Sequence, residues 1–305
     1  MSEARILIFG AAGQVGRELQ RSFAGAGEIV ACNRSSVDLS SEDQVRSTIR
    51  RVAPEVILNA AAYTAVDKAE SEPELAMAIN AVAPRVMAEE ALRCNALLVH
   101  YSTDYVFDGT KSSPWIETDD TNPLSSYGAS KLAGEEAIRK VGGRYLIFRT
   151  SWVYGPHGQN FLFTMLRLAR QRDELRIVND QLGAPTTSIA LADATRSIVD
   201  GVLEEKSGPA EDWAGVYHMT CSGSVSWCGF ARAIFERAGD LLEGKLPRVV
   251  GIPSSEYPTP ARRPQNSVLN CEKLRDRFSI TLPSWQDALD TVMQQIAAAQ
   301  IPARH

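Results

Sequence analysis

Histidine and cysteine are scarce in this chain, and their scarcity removes whole classes of chemistry. Of 305 residues only four are histidine (His100, His157, His218 and His305), and they show no metal-ligand spacing. The five cysteines (Cys32, Cys94, Cys221, Cys228 and Cys271) are odd in number, scattered, and without a CxxC pair. That argues against a zinc site or a disulfide framework and for a reducing compartment. No basic block is present either. The 32 Lys+Arg stand against 37 Asp+Glu, a net charge of −5, which speaks against nucleic-acid binding through phosphates. No apolar run approaches the roughly 18 residues of a membrane span. The opening Met1–Gly13 superficially resembles a secretory leader, but its apolar core is short and its head carries Glu3 beside Arg5. A buried first strand explains it better, and the expected location is the cytoplasm.

What is present is the composition of a globular protein, 44% hydrophobic and 23% charged. The first half alternates short apolar runs (5–10, 28–33, 55–61, 96–103 and 145–150) with helical patterns (13–24, 41–51, 71–93 and 125–140). The runs are apolar almost throughout, as parallel strands covered on both faces are. Alternation of this kind predicts βαβ units in a doubly wound, Rossmann-type α/β sheet. The second half is less regular. It shows helical stretches at 161–170, 190–203, 226–237 and 285–298 and a Pro-rich loop at 254–264. We expect a dinucleotide-binding domain over 1–153 and a smaller, mainly substrate-binding domain over 154–305, some of whose segments return to the sheet.

Gly10-Ala-Ala-Gly13-Gln14-Val15-Gly16 follows a predicted strand and opens a predicted helix. Gly10 permits the tight turn, Gly13 lets backbone approach a pyrophosphate, and Gly16 allows close packing of helix on strand. A plain structural turn is the alternative. The second strand ends at Asn33-Arg34, where an acidic ribose acceptor would favour NADH. Arg34 either pairs with a 2′-phosphate or is a solvated loop arginine. Tyr127 and Lys131 are four apart on a predicted helix, hence on one face. An ammonium there is expected to lower the phenol's pKa and make Tyr127 a general acid. Thr103, at the carboxyl end of the fourth strand, can hold a carbonyl oxygen beside it.

With the glycine turn, Thr103, Tyr127 and Lys131 resemble the catalytic triad of the extended short-chain dehydrogenase/reductase superfamily. Asn59-Ala-Ala-Ala62-Tyr63-Thr64-Ala-Val-Asp67-Lys-Ala-Glu70 and Tyr101-Ser-Thr-Asp104-Tyr-Val-Phe-Asp-Gly109 narrow the resemblance. Phe148-Arg-Thr-Ser-Trp152-Val-Tyr154, Asn179-Asp-Gln-Leu-Gly-Ala-Pro185-Thr and Tyr257-Pro-Thr-Pro260 with Arg263-Pro264 do the same. Together they are similar to the dTDP-4-dehydrorhamnose reductase family over about residues 5–296. The resemblance implies reduction of dTDP-4-dehydro-β-L-rhamnose to dTDP-β-L-rhamnose, the last step in making that sugar donor, with NADPH or NADH. It places Gly13, Gln14 and Val15 at the pyrophosphate, Asp38 and Leu39 beside the adenine, and Ala62, Tyr63 and Thr64 along the far side of the dinucleotide. Lys131 would also hold the nicotinamide ribose. Thr103 and Asp104 would meet the sugar, with Trp152 closing the pocket. Asn179 is placed on the substrate side, and Arg263 either clamps the diphosphate or is a surface arginine. Asn80 matches a family helix asparagine, against the plainer reading of a polar residue inside a helix.

Two rival readings fit parts of the pattern. A sugar-nucleotide epimerase or dehydratase shares the scaffold, but a dehydratase usually places Glu after the aspartate, and here Tyr105 follows Asp104. A non-catalytic nucleotide-binding subunit has no physical need for Thr103, Tyr127 and Lys131 together. His100 reads as core, and Trp213, Trp227 and Trp285 as packing. Some members of the family dimerise around Mg²⁺ held by three glutamates, whose positions here carry Glu18, Ile189 and Gln295. One carboxylate does not hold the ion. The expectation is therefore no metal, and a monomer or a metal-independent homo-oligomer.

Overall fold

The computed structural model describes residues 4–204 and 209–300. Its central sheet has six strands, all parallel. Five come from the first half: β1 (Arg5–Phe9), β2 (Glu28–Cys32), β3 (Val56–Asn59), β4 (Leu97–Thr103) and β5 (Tyr145–Thr150). The sixth, Gly215–His218, belongs to the second half and lies outside β5, so the order across the sheet runs from it through β5, β4, β3 and β1 to β2. The chain leaves β1 toward β2 on one side and returns to β3 on the other. Loops following β1 and β3 therefore part at the carboxyl edge and leave a crevice there, the ligand site of doubly wound sheets.

Side chains alternate across the sheet, as pleating requires. Ile6, Ile8, Leu58, Val99 and Phe148 face one core, and Leu7, Phe9, Ile57, Leu98 and Ile147 face the other. The first core is larger because it continues into the second half, reaching Phe230, Trp285 and Leu289. There Glu174–Val178 pairs in parallel with Arg248–Ile252. The two-residue strands Val153–Tyr154 and Leu182–Gly183 pair with Thr186–Thr187 and Val225–Ser226. These strands, and the helix Glu272–Phe278, are additions to the sequence reading.

One expected helix is broken. The pattern over 71–93 becomes Pro73–Met77, a π-helical turn Ala78–Val82, and Ala83–Cys94. Pro84 explains it: proline has no N–H to give the carbonyl four residues back, and its ring crowds that carbonyl, which belongs to Asn80. The helix over Ser126–Val141 agrees with expectation, and the Ser125 hydroxyl caps it by accepting from the Gly128 N–H at 3.2 Å. Among the described residues no helix is long and apolar enough to cross a membrane.

Candidate active site

The glycine turn closes the crevice from the β1 side. Gly10 has φ +78°, and a Cβ there would lie 2.6 Å from the Ala61 backbone nitrogen. At Gly16 a Cβ would meet the Gly10 carbonyl at 2.1 Å. Both glycines are thus demanded by backbone packing, one for its conformation and both for space. Gly13 precedes the helix Gln14–Ser22 and caps it with no side chain, so the N–H groups of Gln14 and Val15 lie at an open helix end. Asn160 donates to the Gln14 side chain at 2.9 Å, tying the second half to this turn. Such a cradle fits a dinucleotide pyrophosphate.

Asn33 and Asp38 are both engaged in local turns. Asn33 Oδ1 accepts from the Ser35 backbone and hydroxyl, and Asp38 Oδ1 does the same with Ser40. Arg34 is exposed and lies close enough to Tyr63 to bear on its phenol. Leu39 packs half-buried against the second core. Across the crevice, the segment 60–64 is clamped by buried Asn80. Its amide accepts from the Tyr63 N–H at 2.8 Å, donates to the Tyr63 carbonyl at 3.1 Å, and reaches Ser130 Oγ at 3.0 Å. Asn80 is therefore more than a polar residue in a helix, since it joins this loop to the helix carrying Tyr127. Tyr63 itself turns its hydroxyl to Glu72 at 2.6 Å and packs its ring against Ala69, Ala76 and Tyr127. Its backbone, with Ala62 and exposed Thr64, is what lies along the crevice.

Thr103 ends β4 in register with Thr150 of β5. Its hydroxyl donates to Asp104 Oδ1 at 2.9 Å and accepts from the Tyr105 N–H at 3.2 Å. Asp104 is buried and its Oδ2 has no hydrogen-bond partner. Burial pushes its carboxyl up to about 7, against the nearby Ser267 and Thr103 hydroxyls, which favour the charge. Gly128 brings the helix in: a Cβ there would sit 2.3 Å from the Tyr105 carbonyl. Tyr127 consequently lands edge-on to Tyr105, ring centroids 5.8 Å apart. The Thr103 hydroxyl lies near enough to the phenol to favour its ionised form.

The phenol departs from the sequence expectation. Burial pushes Tyr127 up to about 12, and Lys131 does not lower it. Lys131 is buried too and turns inward, donating to the Tyr101 carbonyl at 2.5 Å and lying 3.2 Å from His100 Nε2. Sharing a helix face fixed the direction of both side chains but left the tip of a four-carbon stem free to find a backbone acceptor. Burial lowers Lys131 to about 8, while Glu135 one turn on favours the ammonium. Glu135 is held in turn by Arg149 of β5 through contacts of 2.7, 3.0 and 3.1 Å, and by Ser102 Oγ at 2.5 Å.

On the far side, Trp152 has φ +49° and is partly exposed. Its ring lies parallel to Trp227, centroids 3.5 Å apart, and a Cβ on Gly183 would strike it at 2.4 Å. Arg263 does not stand free: Nη2 is 2.9 Å from Asp67 Oδ2. Asn179 is exposed at the end of Glu174–Val178, its N–H donating to the Ile252 carbonyl. Glu135, Arg149 and Trp227 were missed as partners of the site. Glu135 carried a signal, being four residues beyond Lys131, and so did an arginine inside a buried strand.

These features meet a body of known proteins. A family model described as the RmlD substrate binding domain matches residues 4–298. A dTDP-4-dehydrorhamnose reductase of Burkholderia thailandensis is 49% identical over 296 residues, 96% of this chain and 99% of that protein. The chain belongs to the dTDP-4-dehydrorhamnose reductase family. The reductase of Escherichia coli K12 is 46% identical, covering 95% of this chain and 97% of its own. A solved dTDP-4-dehydrorhamnose reductase of Bacillus anthracis, in complex with NADP, superposes with TM-score 0.87 at 34% identity, covering 97% of this chain and all of the other. A Thermus thermophilus UDP-glucose 4-epimerase, at 20% identity and TM-score 0.74 over 97% of this chain and 99% of its own, shares the fold. The Mg²⁺ that some reductases of this family carry does not fit these residues. Glu18 is buried and paired with Arg21 at 2.7 Å, Ile189 presents only carbon, and no three His, Cys, Asp or Glu gather to hold a metal among the described residues.

Proposed function

We infer that this chain reduces the C4 ketone of dTDP-4-dehydro-β-L-rhamnose to dTDP-β-L-rhamnose. The reading is supported by a glycine turn at the carboxyl end of β1 and Thr103 at the carboxyl end of β4, beside the helix that carries Tyr127 and Lys131, in a chain 49% identical to a reductase so named. A bound reduced nicotinamide supplies the hydride. Tyr127, protonated at neutral pH because burial raises its pKa, gives its hydroxyl proton to the C4 oxygen. Thr103 orients that oxygen, and releasing its bond to Asp104 frees the hydroxyl to do so. Lys131 holds the nicotinamide ribose and sets the approach. Gln14 and Val15 N–H groups bind the pyrophosphate, Arg34 favours a 2′-phosphate, and Trp152, backed by Trp227, covers the sugar. Arg263 reaches the diphosphate by exchanging Asp67 for it, and Asn179 lies on the same substrate side.

The residues over 1–153 serve the dinucleotide and those over 154–305 mainly the sugar, with Gly215–His218 returning to the sheet. Five unpaired thiols support work in the cytoplasm. The Arg21 bridge between Glu18 and Asp193 supports a monomer or an association without metal. Incubation with dTDP-4-keto-6-deoxyglucose, a 3,5-epimerase and NADPH tests the reading. Loss of reduced-nicotinamide absorbance that requires the epimerase is expected; consumption of NADPH without epimerase, or none at all, overturns it.

A further inference from the structure

His100 is wholly buried in the middle of β4 and has no part in the reaction above. The register sets it beside Asn59 of β3. Its Nδ1 lies 2.9 Å from Asn59 Nδ2, and its Nε2 lies 3.2 Å from Lys131 Nζ. The Asn59 amide is oriented from its other end, where Oδ1 accepts the Ala61 backbone N–H at 3.2 Å. Its NH₂ is therefore what faces the ring, and an NH₂ donates. Nδ1 must accept, so in the neutral imidazole the hydrogen sits on Nε2. That hydrogen points at Lys131 Nζ. A neutral amine accepts it through a lone pair, whereas an ammonium has none to offer.

We propose that His100 is a positioning residue for Lys131: Asn59 holds it as the Nε2–H tautomer, and from behind the site it weakens the lysine's grip on its proton. The proposal rests on the reading of Lys131 as part of the reductive site. Several other groups face Lys131. From β4 the Tyr101 carbonyl accepts from it; on its own helix Glu135 favours the charge and Tyr127 stands one turn back; behind Glu135, Arg149 of β5 takes up that carboxylate. Burial lowers Lys131 and Glu135 opposes it; His100, by pointing a donor at Nζ, acts in the same direction as burial. The imidazole stays neutral throughout, because burial and Lys131 both hold it well below its ordinary value. Asn59 gives the arrangement a further reach: the same amide that fixes the tautomer holds the start of the 60–64 segment that lines the crevice.

Heteronuclear NMR of the ring nitrogens in histidine-labelled protein reads the tautomer directly, with neither substrate nor turnover. His100→Gln identifies the signals by difference. The expected result is the Nε2–H form at pH 7 and at pH 9; the Nδ1–H form at either pH overturns the proposal. The kinetic arm compares kcat/KM across pH for wild type and His100→Gln, whose amide oxygen accepts from an ammonium. The alkaline limb is expected to move up by about one unit, and an unmoved limb overturns the proposal. Should that variant fail to fold, His157→Gln, His218→Gln and His305→Gln assign the other three rings, and the remaining wild-type signals decide. If the chain reduced some other ketone, the tautomer result would still stand, so the two readings fail separately.

Discussion

The glycine turn over 10–16 and the helix over 126–141 face the same crevice, and they are built by opposite means. The turn works by removing atoms. Its glycines let backbone lie against backbone, and what it offers a ligand is N–H groups with no titrating side chain among them. The helix works by burying polar atoms. Tyr127, Lys131 and Glu135 lie along one face, Lys131 held by the Tyr101 carbonyl and Glu135 by the Arg149 ion pair. A site of the first kind fails by steric addition and is indifferent to pH. One of the second kind fails by charge and is tuned by pH, because a desolvated group changes its proton affinity with every neighbour.

The sharpest separation of the two regions is Tyr127→Phe. It removes the proton donor and leaves the cradle untouched, so kcat should fall about 10²–10⁴-fold while NADPH binding, followed by fluorescence or calorimetry, stays near wild type. A variant within about threefold of wild-type kcat would move the acid elsewhere. Next comes Arg149→Met, which leaves Glu135 buried without its partner. A loss of about 3–5 kcal/mol in denaturant unfolding is expected, and a loss under about 1 kcal/mol would mean the pair is not structural.

Asp104→Asn tests the pH side. A buried carboxyl raised from its ordinary value to about 7 is protonated more readily folded than unfolded. Its contribution is intact at low pH and is lost as pH rises through about 4 to 7. The variant should therefore gain thermal stability over wild type, and the gain should grow between pH 5 and pH 8. A gain that is flat with pH would break the assignment. Arg34→Ala should lower the preference for NADPH over NADH by an amount worth about 1.5–3 kcal/mol in kcat/KM, with equal changes for both cofactors as the contrary result. The smallest effect is none: EDTA should leave the sedimentation coefficient unchanged. A dimer that dissociates with EDTA and returns with Mg²⁺ would show ligands other than Glu18 at work.

Much of this was legible without coordinates, and the division has a physical cause. Five strands, the helix over Ser126–Val141, the glycine turn and the Tyr127–Lys131 face are written in local periodicity and spacing. The π-helical turn over Ala78–Val82 was also local, since Pro84 stands in the sequence, but it was read through as one helix.

What the sequence determined by itself is whatever depends on neighbours a few residues away: strand, turn, cap and helix face. Only the tertiary structure decided where Lys131 sends its charge, that Asn80 clamps Tyr63, that Trp227 backs Trp152, and that Arg263 meets Asp67. Each is a choice between partners 17 to 196 residues apart. A long polar side chain taken out of water bonds to the nearest acceptor that packing provides, and which acceptor that is follows from how strands, helices and loops come together rather than from spacing along the chain.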